Sequence, residues 1–261
     1  MLNPAVRQPA VKSIIALASI RASAQTARAP ASSSCSSCCL QGVCLPHGLS
    51  SAGVANLDEL TMLKRRVARG ASLYRAGDKF DAVYAVRSGA FKSTGVSSNG
   101  VEKITGFYLP GEVMGLDAIN NERHDFGAVA LEDSEVCVIP FTKLTELALR
   151  IPELHQELFR LLSRDIARDQ GLMLLLGSMT AEQRLAAFLL SLSRRYKRLG
   201  YAAEHFVLRM TREDIGNYLG LTLETVSRIM SRFQRDGLIV TRQREVTFTN
   251  ADGLKEIVGN W

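Results

Sequence analysis

The stretch "MTREDIGNYLGLTLETVSRIMSRFQRDGLI", residues 210–239, carries the clearest structural pattern in the chain. Thr211, followed three residues later by Asp214, resembles a capping box at the start of a first helix. Gly220 suits the tight turn after that helix, and Thr222 is placed to cap a second one. Two short helices joined by a glycine turn predict a helix-turn-helix, a unit that places its second helix in the major groove of DNA.

The residues around this unit support the same interpretation. The stretch that follows, "GLIVTRQREVTFTN" (237–250), predicts two short strands around a polar turn, which would make the unit a winged helix-turn-helix. The inward face of the two helices is predicted to be apolar, as expected for a packed helix pair. Its residues are Ile215, Leu219, Leu221, Val226, Ile229 and Phe233.

The outward side of the second helix carries the side chains predicted to contact bases. Arginine can donate two hydrogen bonds to guanine, glutamate can accept one from cytosine, and serine can do either. Further arginines suit phosphate contacts, which add affinity without reading sequence, although a solvated surface charge is the alternative for each. The predicted base-contacting residues are Glu224, Thr225, Ser227 and Arg228, and the predicted phosphate-contacting residues are Arg232, Arg235, Arg242 and Arg244.

Upstream of this unit, residues 57–140 read as short β-like runs separated by glycines. Asn99-Gly100, between two alternating runs, is a strong hairpin signal. Several short runs with turn signals at close intervals predict a small antiparallel roll or barrel.

A helical segment, residues 141–178, joins the β-rich part to the helix-turn-helix. Its long helix is expected to begin near Pro152, since proline fits the first turn of a helix. Residues spaced alternately by three and four form a heptad seam, which predicts pairing with a partner helix. The alternative is a helix that lies on the core of its own domain. The seam residues are Phe159, Leu162, Ile166, Asp169, Met173 and Leu176.

Composition bounds the class of protein. The chain has 261 residues, 46% of them hydrophobic, and no apolar run of about 18 residues that would predict a membrane-spanning helix. Its formal net charge of +6 is compatible with a polyanionic partner. Residues 1–34 are rich in alanine, serine and arginine and are predicted to form a disordered basic tail, with a short signal core as the alternative.

Four of the five cysteines lie in "CSSCCLQGVC", residues 35–44. Cys35, Cys38 and Cys44 follow a C-x2-C-x5-C pattern, whereas zinc sites usually pair two C-x2-C hooks. Iron–sulfur clusters commonly take four thiolates, and Cys137 is the candidate for a ligand that is remote in sequence. A small buried hydrophobic residue is the alternative for Cys137. Disulfides would be expected only in a secreted protein.

From Cys35 to its C-terminus the chain resembles the FNR (fumarate and nitrate reduction regulator) branch of the CRP/FNR transcription factors. The resemblance runs through this range without an obvious gap, and its motifs together are highly specific. The matching stretches are "CSSCCLQGVCLP" (35–46), "VYAVRSGAFKS" (83–93), "ITGFYLPGEVMGLDAI" (104–119), "ALEDSEVCVIP" (130–140), "RLAAFLLSLSRR" (184–195) and "MTREDIGNYLGLTLETVSR" (210–228).

The resemblance implies an α+β fold. Its parts are an N-terminal antiparallel β-roll of the cyclic-nucleotide-binding jelly-roll type, a long dimerisation helix and a C-terminal winged helix-turn-helix. The expected segments are the disordered tail at 1–34, an iron–sulfur ligand segment at 35–56, the sensory β-roll at 57–140, the dimerisation helix at 141–178 and the DNA-binding domain at 179–261.

The resemblance also implies a cofactor, a [4Fe-4S] cluster. In family members the intact cluster favours a homodimer that binds DNA, and oxygen destroys the cluster and separates the subunits. Cys39 departs from the family pattern and is expected to be an unligated thiol. The implied cluster ligands are Cys35, Cys38, Cys44 and Cys137.

The implied partners are double-stranded promoter DNA and RNA polymerase. Glu224, Ser227 and Arg228 are expected to read a TTGAT-type half-site within a palindrome of the form TTGAT-N4-ATCAA. The protein implied is not an enzyme but a cytoplasmic activator that switches genes of anaerobic metabolism in response to oxygen.

Three other functions account for less of the sequence. A cyclic-nucleotide sensor would need an Arg-Ser-Ala-like phosphate grip after Gly111-Glu112, and residues 120–129, "NNERHDFGAV", lack it, so no cyclic nucleotide is expected. A redox enzyme or electron carrier would leave the DNA-reading helix without a purpose, and no flavin or nicotinamide fingerprint is present. A zinc-dependent or thiol–disulfide regulator with the same DNA-binding domain is the remaining alternative.

Overall fold

The computed structural model describes residues 34–58, 60, 63–97 and 99–259, so the predicted tail lies outside the described residues except for Ser34. No helix within these ranges is both long and apolar enough to cross a membrane. The helices are α1 (Ser51–Asp58), α2 (Phe141–Ala148), α3 (Pro152–Ser178), α4 (Ala181–Arg198), α5 (Arg212–Leu219), α6 (Leu223–Arg235) and α7 (Ala251–Val258). The strands are β1 (Leu63–Val67), β2 (Ser72–Tyr74), β3 (Ala82–Ser88), β4 (Phe91–Val96), β5 (Glu102–Tyr108), β6 (Val113–Met114), β7 (Gly127–Ala130), β8 (Ser134–Pro140), β9 (His205–Val207), β10 (Ile239–Arg242) and β11 (Glu245–Phe248).

Strands β1 to β8 form the predicted β-roll from two antiparallel four-stranded sheets. The first sheet has the order β1-β8-β3-β6 and the second has the order β2-β7-β4-β5. Because side chains alternate along a strand, Val86 and Val136 of the first sheet point between the sheets and pack with Phe91 of the second. Val83 and Ile139 lie on the other face of the first sheet, where the loop before α1 and helix α3 cover them.

Glycines close tight turns of the roll. The predicted hairpin at Asn99-Gly100 is confirmed, since Gly100 has a φ of +78° and joins the paired strands β4 and β5. The β-like run before it divides into β3 and β4 at Gly89, whose φ is +82°. A Cβ atom at Gly89 would lie 2.1 Å from Oγ of Ser134, so only glycine fits this turn.

Helix α3 begins at Pro152, as predicted, and runs for 27 residues. One of its sides is buried, and Leu161 on that side belongs to the core that lies against the first sheet of the roll. Another side is open to solvent, where Phe159, Ile166 and Met173 are 60%, 57% and 66% accessible. The helix therefore lies on the core of its own chain and also presents an uncovered apolar stripe.

The C-terminal part forms the predicted winged helix-turn-helix. Thr211 and Asp214 make the reciprocal capping box of α5, and the hydroxyl of Thr222 accepts a hydrogen bond from the Thr225 amide at the start of α6. Strands β10 and β11 are the wing, and β9 extends them into a three-stranded sheet. Helices α1 and α7, each eight residues long, were not predicted from the sequence. The Asn250 cap is the signal that could have found α7.

Charged pairs join the DNA-binding part to the β-roll. Burial raises the pKa of Glu112, but the neighbouring Arg195 guanidinium more than offsets this, so the pKa of Glu112 is lowered. The same balance, with Lys92 as the main opposing group, lowers the pKa of Asp214. The pairs are Arg195–Glu112 (Nε to Oε1, 2.9 Å), Lys92–Asp214 (Nζ to Oδ1, 2.8 Å) and Arg209–Glu132 (Nη1 to Oε2, 2.8 Å).

Replacing Glu112 with glutamine tests the strength of this connection. At pH 7 we expect Glu112→Gln to lower the free energy of unfolding by about 1–3 kcal/mol, because Arg195 loses a charged partner in a partly buried site. Since the folded-state pKa of Glu112 lies below the unfolded value of about 4.3, its contribution is present above that value and is lost as the pH falls through the folded-state pKa. Urea unfolding, followed by circular dichroism between pH 7 and about pH 3, measures the difference.

The matched control is Glu146→Gln, which removes an exposed carboxylate from α2 and should leave stability nearly unchanged at every pH. A stability difference between the wild type and Glu112→Gln that stays constant down to the lowest pH would contradict the assignment.

Candidate cysteine centre and nucleic-acid interface

The candidate DNA-reading surface depends on the close approach of α5 and α6. A Cβ atom at Gly216 would lie 2.7 Å from the carbonyl oxygen of Leu221, so glycine lets the turn before α6 pack against α5. Gly220, with a φ of +65°, ends α5 in the left-handed conformation. Val226 and Phe233 of α6 are buried in the core of this domain, so the other side of α6 faces solvent.

The predicted base-contacting residues all lie on or beside that solvent side. Glu224 and Arg228 are exposed, whereas Thr225 and Ser227 are half-buried. The hydroxyl of Ser227 accepts a hydrogen bond from Nη1 of Arg212 at 3.3 Å. Glu224 and Arg228 are therefore the two side chains with the most freedom to reach a base edge.

The charges on this surface suit contact with a polyanion. Hydrogen bonds from its own backbone N–H and from Thr222 lower the pKa of Glu224, which is therefore ionised and acts only as an acceptor. Arg232, which is predicted to contact phosphate, is paired with Glu182 in this structure, and its side chain is 54% accessible. The exposed arginines that remain on α6 and the wing include Arg235, Arg242 and Arg244.

Four of the five cysteines come together in space. Cys35, Cys38 and Cys44 lie in the loop before α1, and Cys137 lies in β8. All four line one small cavity between this loop and the first sheet of the roll. Cys39 is exposed and lies outside the lining. The rest of the lining is Leu40, Gln41, Leu45, Pro46, Ala85, Val86, Arg87 and Ile139.

The cysteine loop is held in place by three anchors, none of which was predicted from the sequence. Leu45 is only 1% accessible. Val43 packs so tightly on Gly111 that a Cβ atom there would lie 2.7 Å from Cγ2 of Val43. Asp58 of α1 accepts a hydrogen bond from the backbone N–H of Cys35. A signal for Asp58 was available, since it is the first acidic residue in the chain.

Burial keeps three of these thiols protonated. Burial is the largest cause that raises the pKa of Cys35 and of Cys44 to about 12. Burial also raises the pKa of Cys137, against the lowering effect of the positive charge on Arg87. A metal or cluster takes cysteine as thiolate, so its binding here must displace these protons. Among the described residues, no three His, Cys, Asp or Glu side chains are placed to bind one metal ion.

The cysteine loop and helix α3 share one hydrophobic core. Leu45 belongs to the same cluster of buried side chains as Leu154 and Leu161 of α3. Cys35, Cys44 and Cys137 are partly buried at the edge of that cluster. A rearrangement of the loop would therefore change the packing of the core that the loop shares with α3.

The predicted seam runs along a different side of α3 from the one that contacts this core. Oδ1 of Asp169 lies 3.8 Å from Nε of Arg168, and its side chain is 66% accessible. Leu176 packs against the core of the DNA-binding part, so the C-terminal end of the seam is partly covered. Of the other seam residues, Phe159, Ile166 and Met173 are exposed and Leu162 is half-buried.

Two family models match the chain. A cyclic nucleotide-binding domain matches residues 64–150, and a Crp-like helix-turn-helix domain matches residues 183–257. The first match covers most of the β-roll and the second covers the winged helix-turn-helix. Fold and matches together define a transcription regulator that binds DNA through its helix-turn-helix and is not an enzyme.

Individual relatives show more closely which transcription regulators the chain resembles. The transcriptional regulatory protein btr of Bordetella pertussis is 52% identical over 230 residues, which cover 88% of this chain and 95% of that protein. The fumarate and nitrate reduction regulatory protein of Escherichia coli K12 is 42% identical over 226 residues, which cover 87% of this chain and 90% of that protein. The solved structure of FixK2 from Bradyrhizobium japonicum is 31% identical with a TM-score of 0.71, covering 77% of this chain and 100% of that one. The chain belongs to the CRP/FNR family and is an FNR-like transcription regulator.

Replacing Arg228 tests its predicted contact with guanine. We expect Arg228→Ala to weaken binding to a TTGAT-N4-ATCAA duplex by about 1–3 kcal/mol per half-site, because the hydrogen bonds to guanine are lost. The variant should also discriminate less strongly against a second duplex in which the single G·C pair of each half-site is A·T. Fluorescence anisotropy of anaerobic protein, at one fixed salt concentration, compares the two duplexes.

Arg235→Ala is the matched control on the same helix. It should weaken binding to both duplexes equally and reduce the salt dependence of binding by about one charge, as expected for a phosphate contact. An Arg228→Ala protein that still preferred the original duplex as strongly as the wild type would exclude the predicted contact.

Proposed function

We propose that this chain is an oxygen-responsive transcription regulator that binds TTGAT-N4-ATCAA-type DNA as a homodimer while it carries a [4Fe-4S] cluster. In this proposal it switches genes of anaerobic metabolism. The observation that carries the proposal is the single cavity lined by Cys35, Cys38, Cys44 and Cys137. The identity of 42% to a protein named a fumarate and nitrate reduction regulatory protein supports the same function.

The lining of the cavity fits an iron–sulfur cluster. Such clusters are held by four cysteine thiolates, and the remaining lining is mostly apolar, with Arg87 as its one cation. A cluster bound here would supply an oxygen-labile centre. Cys137 is fixed in β8, whereas Cys35, Cys38 and Cys44 belong to a loop whose described backbone-to-backbone hydrogen bonds are local turns. Ligation would therefore tie the loop to the first sheet of the roll.

The tie between loop and sheet is expected to act on α3 through their shared core. Leu45 of the loop packs in one cluster with Leu154 and Leu161 of α3. Because protein interiors are close-packed, a change in the position of Leu45 requires α3 to adjust. A ligand that binds only one arrangement of the loop shifts the equilibrium toward that arrangement, and so toward one position of α3.

The seam of α3 is the proposed dimer interface. Helix-turn-helix proteins commonly bind two half-sites as symmetric dimers, and Phe159, Ile166 and Met173 form an exposed apolar stripe that a second copy would cover. Two copies of Asp169 would face each other in this seam. Like unit charges ~4 Å apart at an effective dielectric constant of ~20 repel by roughly 4 kcal/mol, which is an upper guide for exposed groups. This repulsion would keep the dimer marginal and open to control by the cluster.

Removing the seam carboxylate should uncouple dimerisation from oxygen. We expect Asp169→Ala to tighten the dimer by about tenfold or more, equivalent to ~1.4 kcal/mol, and to leave a dimer in air. Sedimentation velocity of air-exposed protein measures this. Glu153→Ala, which removes an exposed carboxylate from the opposite side of the same helix, should run like the wild type. If air-exposed Asp169→Ala protein sedimented as a monomer, the proposed role of Asp169 in weakening the dimer would be wrong.

Purification under strict anaerobic conditions tests the cluster. We expect wild-type protein to be coloured, to contain iron and acid-labile sulfide in equal amounts, and to bind the TTGAT-N4-ATCAA duplex until it is exposed to air. Cys137→Ser should lose iron, sulfide and DNA binding together, because it removes a ligand. Cys39→Ser, the matched control in the loop, should keep all three, since Cys39 lies outside the cavity lining.

The same experiment distinguishes the remaining alternatives. Colourless anaerobic protein that contains zinc would favour a zinc-dependent regulator. Metal-free protein whose DNA binding follows the state of a thiol reductant would favour a thiol–disulfide regulator. Either result would replace the proposed cluster while leaving the DNA-binding domain unchanged.

The interior of the roll supports the expectation that no cyclic nucleotide is bound. His124 is 2% accessible and stacks on Tyr74 with their ring centroids 3.8 Å apart. Nη1 of Arg123, in place of gripping a phosphate, donates to the carbonyl oxygen of Gly77 at 2.8 Å.

The remaining parts of the proposal are contact with RNA polymerase through surface loops of the roll and a cytoplasmic location, both of which follow from action at promoters.

A further inference from the structure

Arg87 makes a contact pattern that the fold alone does not explain. It lies near the end of β3, on the same face of the first sheet as Ala85, the strand partner of Cys137. Its Nε lies 3.3 Å from Oε1 of Glu135. Its Nη1 is buried and has no hydrogen-bond partner among the described residues. A buried N–H group without an acceptor lowers stability, so its retention calls for an acceptor beyond the described residues.

The surroundings of Arg87 indicate what that acceptor is. Of the twelve described residues that line the cysteine cavity, only Arg87 is charged. Four thiolates around a doubly positive iron–sulfide core leave a net double negative charge. Burying an anion of this kind in a mostly apolar cavity is costly unless a cation compensates it. Charge-assisted hydrogen bonds from a guanidinium are well suited to this role.

We propose that Arg87 is the counter-cation of the cysteine site, whose guanidinium balances the charge of the bound cluster and so retains it. This inference rests on the proposed function. Lys64 is a second cation in this region, since it pairs with Cys137 across β1 and β8, but it lies outside the cavity lining. Arg87 is therefore the cation best placed to act on all four thiolates.

The proposal predicts opposite effects of Arg87 on the two states of the protein. Without the cluster, the buried Nη1 is a cost to the fold because it lacks a partner. With the cluster, the same group stabilises the negative charge. A residue with a merely structural role would instead support both states alike.

The experiment compares cluster retention in anaerobic wild-type, Arg87→Gln, Arg87→Lys and Arg66→Gln proteins. Iron release to a ferrous chelator is followed by absorbance. We expect Arg87→Gln to release iron about 10–100-fold faster than the wild type, the range typical of groups that support metal ligands from outside the ligand set. Arg87→Lys, which keeps the positive charge, should remain closer to the wild type.

Arg66→Gln is the matched control. Arg66 pairs with the same carboxylate as Arg87, with 3.5 Å between its Nε and Oε2 of Glu135, but its side chain is 91% accessible and lies outside the cavity lining. Arg66→Gln should therefore release iron at the wild-type rate. If Arg66→Gln accelerated release as much as Arg87→Gln, the effect would come from Glu135 or from net charge, and the proposal would fall.

A second readout uses the same proteins after the cluster has been removed. The midpoint of urea unfolding of cluster-free Arg87→Gln should equal or exceed that of the cluster-free wild type. A lower midpoint would assign Arg87 a structural role and overturn the proposal, as would wild-type iron release from Arg87→Gln. Wild-type protein that assembles no cluster would overturn the proposed function together with this inference, whereas a wild-type cluster with unchanged release in Arg87→Gln would overturn this inference alone.

Discussion

The hydrophobic core that Leu45 shares with helix α3 is the feature on which the rest of the molecule depends. Leu45 follows directly after Cys44, so the last cysteine of the loop is one residue away from the core that holds α3. Segments far apart in sequence, at 35–45, at 137 and at 154–161, are thereby packed into one cluster. Close-packed interiors adopt discrete arrangements and deform little between them, so a change in the position of the loop would require this shared core to repack.

A second connection runs from the cysteine loop to the DNA-binding part through the turn between β5 and β6. Gly111 in this turn contacts Val43 of the cysteine loop, and Glu112 beside it is paired with Arg195 of α4. The same guanidinium donates to the carbonyl oxygen of Phe107 at 2.6 Å, so α4 is fixed to both ends of the turn. The loop thus shares a core with α3 on one side and contacts the turn that holds α4 on the other. In the proposed function, a change at the cysteines would act on the seam and on the DNA-binding part together.

The parts of the fold that were predictable from sequence are those whose signals are local. Thr211, Asp214 and Gly220 mark the helix-turn-helix because caps and turns depend on residues a few positions apart, and Pro152 marks the start of α3 for the same reason. The convergence of Cys137 with the loop depends on strand order β1-β8-β3-β6, which no local pattern encodes. The number of cysteines made Cys137 a candidate, and the family resemblance made it the expected fourth ligand. Asp58, Gly111 and Arg87 were missed because their importance comes from tertiary neighbours. The pairing of Arg232 with Glu182 of another helix could not be predicted from the sequence of α6 alone.

The two faces of the first sheet carry different residues, so a roll of the cyclic nucleotide-binding type offers two distinct places for a ligand. Alternation along β3 and β8 sends Tyr84 and Val138 toward the interior of the roll, and the interior is closed by the stack of Tyr74 on His124. The same alternation sends Val83, Ala85 and Cys137 to the outer face, where the cysteine loop and α3 lie. Fold leaves the choice of ligand open. Among the described residues, aromatic rings pack on the inner face, and Cys35, Cys38, Cys44 and Cys137 line a cavity on the outer face.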